Sequence, residues 1–296
     1  MITALAIVHN LPPATPIPIS LRAQGMPARN INAKEGQVWS DNDLLHALLM
    51  SSANDAAVAL AEKTAGSVEA FQGLLADEAF KMQLADHPVL QDPAGLDDEF
   101  SVGGGNLLSA RDLAIAARAL LHDPTLSAIV STKVYAFHGG DGIDHKLGNH
   151  NRMLWDYAGA IGVKTGYTAR SQECRVAAAR RDGRTVIAVV VGALPGQDTP
   201  FAAHLLDVGF TTPVRAEPTV DRLPPIPGTT TQKVVRPAAA KTTAVDVDRS
   251  PLSSLARSRP LAIALLVLTV LGLLRVRAIR RISRQRRLRP SASRRR

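Results

Sequence analysis

The apolar residues of this chain gather first in helical runs and later in strand-like ones. Ser40-Asp-Asn-Asp43 is a capping-box pattern placed directly before Leu44-Leu-His-Ala-Leu-Leu-Met50. The run DAAVALAEK, Asp55 to Lys63, predicts a second helix whose alanines allow tight packing. Ser109-Ala-Arg-Asp112 caps a third over 113–121. Arg175 to Ala179 and Thr185 to Val191 are β-rich runs joined around Arg181-Asp182-Gly183-Arg184. Asp-Gly between two such runs is a strong hairpin signal. Helices followed by an antiparallel hairpin predict an α+β or three-layer fold, not an alternating βαβ one.

After residue 212 the patterning stops. Residues 213–258 are rich in Pro, Ala and Thr and show neither period, so they predict an extended linker. Residues 261–274 then run fourteen positions without a charge, about 21 Å of helix. Arginines flank that run on both sides, and their long stems can snorkel. The expectation is a single transmembrane helix over 259–279 and an Arg-rich cytoplasmic tail over 280–296. The lipid bilayer is then a partner through the C-terminal helix, with domain 1–212 on the outer face of the cell membrane.

Composition changes this picture in three places. Aromatics are only 4% of 296 residues, so Ala, Leu and Val must build the core. The formal charge of +9 invites a nucleic-acid reading. Yet eleven arginines and no acid fall between 260 and 296, leaving the remainder slightly negative, so no nucleic-acid partner is expected. The single Cys174 allows no intramolecular disulfide, and the scattered histidines suggest no metal site and no cofactor.

Two short segments carry candidate chemistry. In Ser52-Ala53-Asn54-Asp55 a hydroxyl and a carboxamide two residues apart can face one cleft, the first relaying a proton and the second holding a peptide carbonyl. The same residues also read as ordinary helix caps. In Gly162-Val-Lys164-Thr165-Gly166-Tyr167-Thr168 the lysine and threonine can clamp a terminal carboxylate, and Gly166 leaves room for a ligand backbone. An exposed strand and turn is the plainer alternative.

Together and in this order, the segments match the second and third of the Ser-x-x-Lys, Ser-x-Asn and Lys-Thr-Gly motifs of penicillin-binding proteins and class A β-lactamases. The chain resembles the low-molecular-mass D-alanyl-D-alanine carboxypeptidases, the S11 serine peptidases, over roughly residues 1–212. The likeness extends to Leu44-Leu-His-Ala-Leu-Leu-Met-Ser-Ser-Ala-Asn-Asp, Asp92-Pro-Ala-Gly-Leu, Leu108-Ser-Ala-Arg-Asp-Leu-Ala, Asn149-His-Asn-Arg-Met-Leu and Leu205-Leu-Asp-Val-Gly-Phe. The resemblance implies a serine β-lactamase-like transpeptidase fold, an antiparallel sheet flanked by helices. It implies a peptidoglycan stem peptide ending in D-Ala-D-Ala as substrate and β-lactams as inhibitors. Ser52 is then the proton relay and Asn54 its substrate-binding partner. Lys164 and Thr165 clamp the carboxylate, Gly166 admits the ligand, and the Tyr167 N–H is half of an oxyanion hole.

The first motif has no match. No serine in the chain has a lysine three residues on. The resemblance implies a helical Thr-Ala-Leu close behind that motif, and with Thr3-Ala4-Leu5 in that place the lysine is expected one residue before Met1 and the nucleophilic serine three before that. The expectation is therefore a start set inside a longer reading frame, with the nucleophile, its general base, the export signal and the first strands missing from a weakly stable chain. Two other readings stay open: a non-catalytic muropeptide-binding relative, and a β-lactamase-type hydrolase.

Overall fold

The computed structural model describes residues 1–213 and 222–228. The chain opens with α1 (Ile2–Asn10), whose first six residues are all buried. A loop and the short β1 (Pro16–Pro18) lead to α2 (Leu21–Gln24) and β2 (Val38–Ser40). α3 (Asp41–Met50) and α4 (Asn54–Ala65) follow, then α5 (Val68–Lys81). A loop over 82–109 precedes α6 (Ala110–His122) and α7 (Pro124–Ser131). β3 (Val134–His138) and β4 (Asp144–Gly148) form a hairpin, and α8 (Met153–Asp156) is a single turn. β5 (Ala160–Thr168), β6 (Gln172–Arg181) and β7 (Arg184–Ala193) form an antiparallel sheet before α9 (Asp198–Thr211).

Capping explains where two of the three expected helices begin. Ser40 Oγ accepts from Asp43 N at 3.3 Å and Ser109 Oγ from Asp112 N at 3.0 Å. α3, α4 and α6 each include the run expected to be helical. The β6–β7 hairpin turns at Asp182 and Gly183, both with positive φ (50° and 75°), the geometry for which Asp-Gly is suited.

The sheet is covered on both faces, which gives it the three-layer form. Val176 and Ala178 of β6 join the main core with α1, α3, α4, α6 and α7. The alternate residues Ala177 and Ala179 face the other way, onto Ala202 and Leu206 of α9. Low aromatic content is met as expected by alanine: Ala56, Ala57, Ala59 and Ala61 of α4 are all fully buried. Trp39 and Phe71 are the largest buried side chains among the described residues.

β7 has β6 on one side and no strand on the other among the described residues. Val191 and Leu194 near its end are 48% and 70% exposed. Part of the expected linker lies against the domain: Leu223 packs on the main core, and Arg118 donates to the Pro224 carbonyl. The expected span, 259–279, and the tail, 280–296, fall outside the described residues, as does most of 213–258. Among the described residues no single helix is long and apolar enough to cross a membrane.

An ionic cluster around one buried carboxylate ties α1 to α5. The Glu78 side chain is 1% exposed; its carboxylate accepts from Lys81 Nζ at 2.6 Å and lies 3.0 Å from His9 Nδ1. Burial pushes the Glu78 carboxyl up, but the hydrogen bonds from His9 and Lys81 outweigh it and hold the pKa below the usual carboxylate value. The bond to Glu78 in turn raises His9, against the pull of burial. Glu78's contribution is complete above its unfolded pKa and lost as pH falls through the lowered folded value. His9's is complete below its unfolded pKa and lost as pH rises through the raised one. Glu78→Gln should therefore lower the melting temperature most near pH 5.5 and less at pH 8. An equal loss at both pH values in calorimetric melts would remove the electrostatic explanation.

Candidate active site

The two motif segments meet in one cleft of about 990 Å³, which Met1, Arg29, Ser52, Asn54, His150 and Lys164–Thr168 help to line. Ser52 sits in the break between α3 and α4 with φ of +58°, a left-handed conformation that is strained for serine. Lys164 Nζ donates to Ser52 Oγ across 112 positions of sequence and to the Thr165 carbonyl at 2.8 Å. Because the lysine donates, the Ser52 hydrogen is left to point elsewhere.

The capping reading of these residues does not hold. The N-cap of α4 is Ala53, with no side-chain cap bond, and Asn54 is already its first helical residue. Asn54 instead donates from Nδ2 to the Pro27 carbonyl at 3.0 Å, and its backbone N–H donates to the Arg29 carbonyl at 2.7 Å. One N–H of its carboxamide and its oxygen have no partner among the described residues. The 26–33 loop is thus sewn to the start of α4. Asp55, 1% exposed, completes the seam by accepting from the N–H groups of Ile31 and Ala33 at 3.0 and 3.1 Å.

β5 forms the facing wall. Its residues Lys164 to Tyr167 pair with Val176 to Glu173 of β6, so β5 is an edge strand with one side unpaired among the described residues. Gly162, at φ +139°, lets β5 pass close to Val130 of α7, where a Cβ would come within 2.9 Å of its side chain. A Cβ at Gly166 would meet nothing within 4 Å, so the glycine keeps a lane open along the strand. Tyr167 is 66% exposed at the rim.

Charge in the cleft is unbalanced. Burial, then the nearby Arg29 charge, lower the Lys164 pKa to about 8. Burial together with Arg29 and Lys164 lowers His150 to about 4, so its ring is neutral near pH 7. Arg29 Nη1 lies 2.7 Å from that ring's Nδ1. On β6, Arg175 is buried and donates to Asp198 and to Asn151, each at 2.8 Å.

All six residues expected at the site, Ser52, Asn54, Lys164, Thr165, Gly166 and Tyr167, belong to the two walls of this cleft. Sequence reasoning missed Arg29, His150 and the Asp55 and Arg175 supports. Asp55 and His150 lay inside segments singled out for other reasons, whereas nothing in the local pattern marks Arg29.

Residues 1–194 match the family model described as D-alanyl-D-alanine carboxypeptidase, peptidase S11. The chain is 32% identical over 194 residues to the D-alanyl-D-alanine carboxypeptidase DacF of Bacillus subtilis, covering 64% of this chain and 48% of that protein. It is 32% identical over 184 residues to a D-alanyl-D-alanine carboxypeptidase of Mycobacterium tuberculosis, covering 61% of each. The chain therefore spans about half to three-fifths of these relatives. Among solved structures it is similar to a Mycobacterium tuberculosis D-alanyl-D-alanine carboxypeptidase (TM-score 0.66, 26% identity, 72% of this chain and 80% of that one). It is also similar to a peptidoglycan synthesis regulatory factor of Streptococcus pneumoniae (TM-score 0.61, 29% identity, 71% and 63%).

Proposed function

The chain belongs to the D-alanyl-D-alanine carboxypeptidases of peptidase family S11, and from that premise we propose that its cleft holds the D-Ala-D-Ala end of a peptidoglycan stem peptide. The observation that carries this reading is the Lys164–Ser52 hydrogen bond, which joins the two motifs across one cleft. The peptide lies along the open edge of β5. Its terminal carboxylate meets the Lys164 ammonium and the Thr165 hydroxyl, and the free half of the Asn54 carboxamide meets the preceding peptide carbonyl. In the family reaction a serine attacks the carbonyl between the two D-alanines and the terminal D-Ala leaves; water then releases the acyl group. Ser52, held by Lys164, hands a proton to the departing amine, and the Tyr167 N–H faces the oxyanion.

No serine among the 296 residues has a lysine three positions on. The chain as written is thus read as a binder of D-Ala-D-Ala peptides that forms no acyl-enzyme, which is also what a non-catalytic muropeptide-binding relative would do. The β-lactamase-type reading has no observation of its own in its favour. Anchoring through 259–279, with the domain outside the cell membrane and 280–296 in the cytoplasm, belongs to the same proposal and rests on the sequence pattern.

Two measurements test the reading. Isothermal titration with an acyl-D-Ala-D-Ala peptide should show binding that an L-Ala terminus abolishes. Its affinity should start to fall above pH about 8, where Lys164 loses its charge, well before an ordinary lysine would respond. Incubation with fluorescent penicillin should leave no covalent label; a labelled band would place the nucleophile among these residues and contradict the assignment.

A further inference from the structure

The cleft has more positive charge than one terminal carboxylate needs. Its charged lining residues are Arg29, Arg152, Lys164, Arg175, Glu173 and Asp198. Arg175 and Asp198 neutralise each other at 2.8 Å. Glu173 accepts from Gly196 N at 2.6 Å, at the far side of β6. Arg152 lies over the Trp155 ring, 5.8 Å from its centroid. That contact leaves the Arg152 charge in place, and of the three remaining cations Lys164 and Arg29 are the two bonded to the Ser52–Asn54 wall, through Ser52 Oγ and the Asn54 N–H. Neither has a carboxylate partner among the described residues.

Arg29 is also held in place. Its carbonyl accepts from Asn54 N at 2.7 Å, so its backbone rests on the wall that faces the acyl side of the ligand. Its guanidinium rests on His150, 2.7 Å from Nδ1, and His150 N donates to the Met50 carbonyl at 2.9 Å. The ring pKa, lowered to about 4, makes His150 a neutral acceptor that positions the guanidinium without cancelling its charge. The remaining donors of an exposed guanidinium suit a carboxylate well.

We propose that Arg29, steadied by His150, binds a second carboxylate of the stem peptide, on the N-terminal side of the D-Ala-D-Ala bond. The chemistry that supplies one there is a diamino diacid at the third position with its side-chain carboxylate free. The cleft then prefers such peptides over those in which that carboxylate is amidated or replaced by a lysine side chain. The inference rests on the reading of the cleft given above and adds Arg29 as its specificity residue.

The test uses the full chain in detergent micelles and isothermal titration with three pentapeptides ending in D-Ala-D-Ala. The third residue is diaminopimelate, its side-chain amide, or lysine. The free acid should bind about 2–5-fold tighter than the amide, the upper part of the range for an exposed charged pair. Arg29→Gln should shrink that ratio below about 2-fold, and Arg29→Lys should restore only part of it, since lysine lacks the planar fork. Equal binding of acid and amide by the parent chain overturns the proposal. So does an Arg29→Gln variant that weakens all three peptides by one factor, which would place Arg29 at the terminal carboxylate. If no peptide binds, or if Lys164→Ala leaves binding untouched, the cleft reading itself fails and takes the inference with it.

Discussion

Asp55→Ala should destabilise the domain by about 3–5 kcal/mol, and the damage should reach the cleft before the rest of the fold. Asp55 is buried at the start of α4 and its two oxygens accept from the N–H groups of Ile31, Ala33 and its neighbour Ala56. Ile31 and Ala33 are themselves buried, so truncation leaves two backbone donors without water or partner. Each such loss costs on the order of 1–3 kcal/mol, and a cavity adds to it. The charge itself is not what stabilises: burial raises the Asp55 pKa in spite of the donors that face it. Asp55→Asn keeps an acceptor in place and should cost less than half as much. For a domain of this size the alanine variant should melt roughly 6–20 °C lower. The 26–33 loop carries Arg29 and the Pro27 carbonyl that holds Asn54, so peptide affinity should fall even well below the melting point. A drop of under 1 kcal/mol in urea unfolding would show that the loop is held by something else.

How far the fold could be read from sequence depended on whether an element announces itself locally. α3 and α6 carry serine N-caps and apolar runs within a single turn of each other, α4 carries an alanine-rich run without a side-chain cap, and the β6–β7 hairpin carries Asp-Gly at its tip. β1 carries two prolines in three residues and pairs with β2 across 19 intervening residues, so neither composition nor spacing marks it. β3 and β4 alternate only between exposed and half-buried positions, and a two-sided, weakly buried hairpin leaves little hydrophobic period to detect.

The site divides in the same way. Ser52, Asn54, Lys164 and Thr165 were legible because two motifs of fixed chemistry occur in a fixed order. The capping alternative for Ser52 and Asn54 could not be decided by sequence, since both residue types cap helices well. It fails only because Ala53 takes the N-cap position and Pro27, from a distant loop, takes the Asn54 amide. Arg29 and His150 meet across 121 positions, a contact that no local pattern encodes.

Arg175→Ala should be of similar severity, about 3–5 kcal/mol, for a different physical reason. Arg175 and Asp198 are 6% and 8% exposed; Nε donates to one Asp198 oxygen at 2.8 Å, Nη2 lies 2.8 Å from the same oxygen, and Nη1 donates to Asn151 at 2.8 Å. Removing it strands a buried carboxylate whose remaining donors are the N–H and hydroxyl of Thr199. It also strands the oxygen of Asn151, whose Nδ2 already has no partner. Arg175→Lys cannot reach both acceptors with one ammonium and should recover only part of the loss. The paired change Arg175→Met with Asp198→Leu removes both charges together and should recover most of it, because an intact buried ion pair contributes little over a well-packed apolar pair. A double variant as unstable as Arg175→Ala would mean the loss comes from packing, not from the stranded charge. The consequence for the cleft is specific: Arg175 stands opposite Thr165 in the β5–β6 register, so their side chains lie side by side on one face of the sheet and Arg175 flanks the proposed carboxylate clamp. In the folded alanine variant, affinity for a D-Ala-D-Ala peptide should therefore fall more than in the paired variant, and titration of both at one temperature reads that difference directly.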